Sequence, residues 1–175
     1  RVGLVCISGE PGVGKTSILL SNALKLGGLF WSAEMSPDGL KTRLDTISPV
    51  DLFFCFGQSL GMLVKVVEKR KPDIVWVDYL QLLWNDTPDP FGKIEHSINA
   101  LKGIAYDRLV VFVSQVSRSG EGMRSLRGSG SIEYHSDCIY HIEKVEERPV
   151  KVRIKTLKSK WGNYFSGFYE LDVPH

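Results

Sequence analysis

The octapeptide Gly9-Glu10-Pro11-Gly12-Val13-Gly14-Lys15-Thr16 constrains the fold more than any other stretch of this chain. Before it comes an apolar, strand-like run at residues 4–8. After it come residues 15–25, in which Ile18, Leu19, Ala23 and Leu24 recur near helical spacing. Glycine permits backbone conformations that side chains forbid, so the turn can wrap tightly on itself. A chain that passes from strand to helix through such a turn aims successive N–H groups inward, and the helix start adds the positive end of its dipole. The result is a concave seat for an anion, with the Lys15 ammonium and the Thr16 hydroxyl at its rim.

The pattern is G-x-x-x-x-G-K-[ST] without a gap, in the strand-to-helix setting its mechanism requires. Gly9, Glu10, Pro11, Gly12, Val13, Gly14, Lys15, Thr16 and Ser17 are therefore the candidate cradle for the phosphates of ATP. Lys15 is placed to reach the β- and γ-phosphates and Thr16 to ligate Mg²⁺. A second acidic group must hold the magnesium, normally at the end of an apolar strand beside the loop. Ile74-Val75-Trp76-Val77-Asp78 supplies Asp78. Hydrolysis also needs a group to orient the attacking water, and Glu34, at the end of the second apolar run, is the candidate.

Around this site, apolar runs of strand length alternate with helix-like stretches, the βαβ rhythm of a parallel sheet covered on both faces. Strands are expected at residues 4–8, 29–33, 52–56, 74–77 and 109–114, the fourth being the most apolar and so placed centrally. Helices are expected at 15–25, after a Ser36 cap with Pro37 and Asp38 in its first turn, at 59–69, at 94–106 and briefly at 132–135. Residues 85–90, with two prolines and two aspartates, read as a loop. Strands at 138–142, 150–157 and 164–171 close the chain as an antiparallel edge. Between them, residues 116–130 are rich in Gly, Ser and Arg and poor in apolar residues, so this segment is expected not to pack without a ligand.

Composition excludes several classes. At 175 residues the chain has room for one domain, and a domain of this size needs no disulfide or metal staple. Cys6, Cys55 and Cys138 stand far apart in apolar runs, without the spacing of a zinc site, and are expected as reduced core residues of a cytoplasmic protein. The stretch from residue 74 to 84 carries Asp78 and Gln81 and falls short of the ~20 residues of a membrane span, so no membrane partner is expected. Net charge is only +2, which excludes a uniformly basic coat. The basic residues are nonetheless clustered. Arg118, Arg124 and Arg127 face only Glu121 between residues 116 and 130, and residues 148–160 hold lysines and arginines with no acid. The chain opens on Arg1 directly before a strand, as expected of an ATPase core cut from a longer protein.

Four stretches together resemble the C-terminal motor domain of DnaB-type replicative helicases, within the RecA-like ATPases. They are residues 8–16; Ser32-Ala33-Glu34-Met35-Ser36, like the family's S-x-E-M-S, with Arg43 following at the family's interval; Val77-Asp78-Tyr79-Leu80-Gln81-Leu82, like its D-Y-L-Q-L; and Ser114-Gln115-Val116-Ser117-Arg118 running on to Leu126-Arg127-Gly128-Ser129-Gly130-Ser131-Ile132-Glu133, like S-Q-L-x-R and L-R-x-S-G-x-I-E. The resemblance implies an α/β fold of the RecA-like P-loop NTPase type. That fold has a mostly parallel central sheet, helices on both faces and an antiparallel C-terminal edge, here as one domain over residues 1–175. It implies catalytic roles for Lys15, Glu34 and Arg43, with Gln115 sensing the γ-phosphate. It implies a DNA-gripping segment containing Arg118, Arg124, Arg127, Gly128, Ser129 and Gly130, whose arginine and backbone N–H chemistry suits a single-stranded phosphate backbone. Gly128 stands where the family usually has an acidic residue.

Lys158-Ser159-Lys160 resembles the family's K-x-R pair, which reaches the nucleotide of a neighbouring subunit. Lysine at the second position is a point charge without arginine's planar fork, closer to the K-x-K of RecA itself. The resemblance thus implies ATP and Mg²⁺ as cofactors and single-stranded DNA as partner. It also implies a homo-oligomer, either a hexameric ring or a filament, in a bacterial or phage-infected cell, working with replication or recombination proteins. Three destinations stay open: a helicase-type motor, a RecA- or RadA-like recombinase or recombination accessory ATPase, and a nucleotide-gated assembly switch.

Overall fold

A computed structural model describes residues 2–41, 51–83, 90–117, 125–126, 129–147 and 150–170. Its strands are β1 (Gly3–Gly9), β2 (Gly28–Ser32), β3 (Leu52–Phe56), β4 (Ile74–Asp78), β5 (Leu109–Ser117), β6 (Ser125–Leu126), β7 (Cys138–Glu147), β8 (Val150–Ser159) and β9 (Ser166–Glu170). Its α-helices are α1 (Lys15–Leu26), α2 (Pro37–Lys41), α3 (Leu60–Arg70), α4 (Pro90–Ile104) and α5 (Ser129–His135), with a 3₁₀ turn at Leu80–Leu82.

Among the described residues the sheet runs β3-β2-β4-β5-β1-β7-β8-β9, with β6 paired to the end of β5. Every neighbour from β3 to β7 is parallel, and β7-β8 and β8-β9 are antiparallel. The expected fold class therefore stands: a mostly parallel sheet with an antiparallel C-terminal edge. The apolar fourth strand lies inside the sheet, between β2 and β5, while β5 and β1 form its middle.

Strand alternation sorts the core into two layers. Leu4 and Cys6 of β1, Val75 and Val77 of β4, and Val110 and Phe112 of β5 face Leu63 and Val67 of α3, Ile98 and Leu101 of α4, and Ile132 of α5. Val5, Ile7, Trp76, Val111 and Val113 face Leu19, Leu20 and Ala23 of α1 and Leu40 of α2. Burying each such Leu, Val or Phe contributes roughly 1.5–3 kcal/mol, so the two layers together fix the sheet's position between its helices. Trp31 and Trp76 add specificity, donating their ring N–H groups to the carbonyls of Gly57 (2.7 Å) and Gly27 (2.8 Å).

Helix starts follow local chemistry. The Ser36 hydroxyl accepts from the Gly39 amide at 3.2 Å, as expected, and the Ser59 hydroxyl caps α3 by accepting from the Met62 amide at 3.3 Å. α4 begins at Pro90, four residues before the expected start, because proline is pre-set for the first helical position. The rest of the expected loop at residues 85–90 lies outside the described residues.

The largest correction concerns residues 116–130. β5 continues to Ser117 and pairs antiparallel with β6, Val116 opposite Leu126 and Ser117 opposite Ser125. α5 then begins at Ser129, anchored by the fully buried Ile132. Backbone ladder bonds and one apolar anchor order the two ends of a segment whose composition alone argued against packing. No helix among the described residues is long and apolar enough to cross a membrane.

Candidate functional site

The phosphate loop leaves β1 at Gly9 and enters α1 at Lys15. Gly9 is forced by crowding, since a Cβ there would stand 2.7 Å from the Ile142 carbonyl oxygen of β7. Gly14 is forced by conformation: it precedes α1 with φ 93°, in the left-handed region that glycine alone adopts freely. No side chain caps α1, and no acidic residue occupies its first turn, so the helix start presents its dipole to the loop. This is the backbone arrangement that a polyphosphate requires.

Lys15 is buried inside this loop. Its ammonium donates to the carbonyls of Gly9 (3.0 Å) and Glu10 (2.7 Å). Burial pulls its pKa below the usual lysine value, opposed by the nearby charges of Asp78, Glu34 and Glu10. The field of three carboxylates thus keeps a desolvated cation at the mouth of the cradle.

Asp78 ends β4 fully buried, and the Thr16 hydroxyl donates to its Oδ1 at 3.0 Å. A hydroxyl and a carboxylate in contact beside a phosphate loop form an all-oxygen donor set, the kind a hard cation such as Mg²⁺ accepts. These residues fit the metal implied by the sequence. Glu34 is exposed just beyond β2. Its segment is tied in place where the Ala33 amide donates to the Asp78 carbonyl (2.7 Å) and the Met35 amide donates to Ser32 Oγ (2.9 Å). The structure therefore gathers Lys15, Thr16, Asp78 and Glu34 at one end of the sheet.

Gln115 stands half-buried near the end of β5, beside a contact that the sequence did not single out. The Gln81 amide donates to Ser114 Oγ at 2.8 Å, and its Oε1 accepts from the Gln115 backbone amide at 3.5 Å. Gln81 thereby spans from the turn after Asp78 to the strand that carries Gln115. Ser8 Oγ likewise meets His141 Nδ1 at 3.0 Å and donates to the Tyr140 carbonyl at 3.1 Å, tying the entry of the loop to β7. Gln81 lay within the D-Y-L-Q-L wording; nothing local marks His141.

Arg43, Arg118, Arg124, Arg127 and Gly128 lie outside the described residues. Ser129 and Gly130, expected in a DNA-gripping loop, are the first residues of α5, with Gly130 exposed. Lys158 and Lys160 lie away from their own phosphate loop. Gly9 pairs with Ile142, whereas Lys158 pairs with Ile139 and the Lys160 amide bonds to Asp137. At about 3.3 Å per strand residue, Asp137 stands roughly 16 Å back along β7 from the loop. Lys158 donates to the carbonyls of Glu133 and Tyr134, and Lys160 donates to Asp137 Oδ1 at 2.9 Å.

Comparison with named proteins adds an independent line. The chain is 28% identical to a DNA repair protein RadA from Treponema pallidum, over 93% of its own length and 37% of the relative's. It is 23% identical to DNA repair protein RadA of Bacillus subtilis and 22% identical to that of Streptococcus pyogenes, each over 91% of this chain and 37% of the relative. Its fold is that of the RecA-like P-loop ATPases. The chain spans little more than a third of these relatives, 37% of their length. No protein-family description matches it. These relatives carry a repair name, and none of the three is named as a replicative helicase.

Proposed function

We propose that this chain is the Mg-ATP-hydrolysing core of a DNA repair or recombination ATPase that assembles with copies of itself on single-stranded DNA. The observation that carries the reading is the 3.0 Å contact between Thr16 and the buried Asp78, beside a loop that encloses the Lys15 ammonium.

In this reading Gly9 through Ser17 wrap the triphosphate, with Lys15 exchanging its loop carbonyls for phosphate oxygens. Thr16 and Asp78 would hold magnesium, which would supply positive charge to offset that of the triphosphate. Glu34 takes the proton of the attacking water, and Gln115 registers whether the γ-phosphate is present. Gln81 passes that state between the Asp78 turn and the β5-β6 hairpin, whose neighbouring arginines Arg118, Arg124 and Arg127 hold DNA phosphates. Lys158 and Lys160 offset charge on a neighbouring copy's γ-phosphate, and Arg43 is given a catalytic place near the phosphates by the family resemblance alone.

The wording of the Glu34, Asp78 and Gln115 motifs keeps a helicase-type motor as the second reading. Light scattering with ATP and single-stranded DNA, paired with strand-exchange and strand-displacement assays, separates them. An assembly whose size follows DNA length and that promotes strand exchange supports the repair reading. A closed ring that displaces strands supports the motor. ATP-dependent assembly without DNA binding overturns both in favour of a nucleotide-gated switch.

A further inference from the structure

At the far end of β1 from the phosphate loop lies a solvent-open depression of about 690 Å³. Its walls carry Lys102, Lys158 and Lys160 together with Glu133, Tyr134 and His135. Lys102 comes from α4, far in sequence from the other two lysines.

Asp137 organises this place. Its Oδ2 accepts from the Leu4 amide at 2.8 Å and from Lys102 at 2.5 Å, and its Oδ1 accepts from Lys160 at 2.9 Å. Its backbone is fixed as well, with its amide donating to the Leu4 carbonyl (2.7 Å) and its carbonyl accepting from the Lys160 amide (2.8 Å). The carboxylate is 11% exposed, whereas the Lys102 and Lys160 side chains are 36% and 51% exposed. A buried anion thus holds two cations that remain open to solvent.

One carboxylate shared by two ammonium groups leaves positive charge over. Lys158 adds more, since it donates to the backbone carbonyls of Glu133 and Tyr134, while the Glu133 side chain brings a carboxylate to the wall. Burial lowers the Lys158 pKa, Lys160 and Lys102 push the same way, and Asp137 and Glu133 oppose them. The three ammonium groups therefore stand in one another's field. A phosphate dianion is the ligand that such a cluster accommodates, and the chain's own phosphate loop is at the other end of the strand.

We propose that Lys102 is a third cation of a phosphate-receiving pocket shared with Lys158 and Lys160, and that Asp137 positions Lys102 and Lys160 toward the terminal phosphate of a nucleotide held by a second copy of the chain. This rests on the trans role given above to Lys158 and Lys160 and extends it to Lys102 of α4 and to Asp137, just before β7.

Subunit mixing tests it. Lys102→Met keeps most of the stem and removes the charge. It is expected to lower kcat about tenfold with KM for ATP changed less than about twofold, the pattern of an interaction gained in the transition state, while Lys102→Arg restores turnover. Mixing Lys102→Met with Lys15→Ala should raise turnover above the sum of the two alone, because one interface then joins an intact loop to an intact lysine pocket. Thermal melting of each variant checks folding. Absence of complementation between folded variants overturns the proposal, as does a loss of single-stranded DNA binding with unchanged turnover, which assigns the pocket to DNA phosphates. If the unaltered protein hydrolyses no ATP, the parent reading falls and this one with it; an active parent unaffected by Lys102→Met sinks only this one.

Discussion

The two ends of β1 each gather lysine, and they do it in opposite ways. At the Gly9 end, one ammonium is buried and held by backbone carbonyls that belong to a single continuous loop. At the Leu4 end, exposed ammonium groups from α4 and the end of β8 are gathered by one buried carboxylate. The first site is built by a loop of consecutive residues, the second by elements distant in sequence; in the proposed function the first takes the chain's own nucleotide and the second faces the nucleotide of another copy.

The comparison breaks first at Lys15. Lys15→Ala should cut ATP turnover by about 10²–10³-fold, the cost of losing one preorganised charge-stabilising donor, while circular dichroism and melting temperature change little. Turnover close to that of the unaltered protein would remove the Gly9 end from the chemistry.

Next in size is the double change Lys158→Ala with Lys160→Ala. It should lower kcat by about 10–100-fold, less than the 10³–10⁵ known for an arginine supplied in trans, with a smaller change in KM. Steady-state kinetics decide this, and an effect confined to KM would mean that these lysines act only in binding.

Asp137 sharpens the comparison through pH. Burial alone would raise its pKa, yet hydrogen bonds from Lys102, the Leu4 amide and Lys160 hold it down at about 2. Because the folded value lies below the ordinary 3.8, the group's stabilisation is fully present above that value and is lost as pH falls from about 4 toward 2. The shift corresponds to about 2 kcal/mol. Asp137→Asn should lose about that much stability at neutral pH and show a flatter acid limb in melting experiments from pH 7 to pH 2. An unchanged acid limb would contradict the ion cluster.

The smallest expected effect lies between the two ends. Gln81→Ala removes the bonds to Ser114 and Gln115, worth about 1 kcal/mol, and should lower Tm by roughly 2–4 °C. The ratio of DNA-stimulated to basal ATP turnover should fall further than basal turnover does. A fall in Tm alone would make Gln81 a structural contact only.

The same contrast governs what the sequence discloses. The Gly9–Thr16 loop, the Asp78 strand end and the alternating core of β1, β4 and β5 are legible because each is written in consecutive residues with a local period. The Asp137 cluster is not, because Leu4, Lys102, Asp137 and Lys160 meet only after the sheet forms. The β5-β6 pairing is illegible in the sequence for a related reason. Two residues, Ser125 and Leu126, carry no periodicity, and their order comes from the ladder to Val116 and Ser117. Residues 116–130 hold few apolar side chains, and α5 is legible only from Ile132 onward because Ser129, Gly130 and Ser131 before it carry no apolar signal.

The central claim is that Mg-ATP is hydrolysed at the Gly9 end with help from a second copy. The most direct measurement is ATP turnover per chain as a function of protein concentration, with and without Mg²⁺, for the unaltered protein and Lys15→Ala. Turnover is expected to depend on Mg²⁺, to rise per chain as copies assemble and to fall by about 10²–10³-fold in Lys15→Ala. Turnover that is independent of concentration, or equal in the two proteins, would contradict that claim.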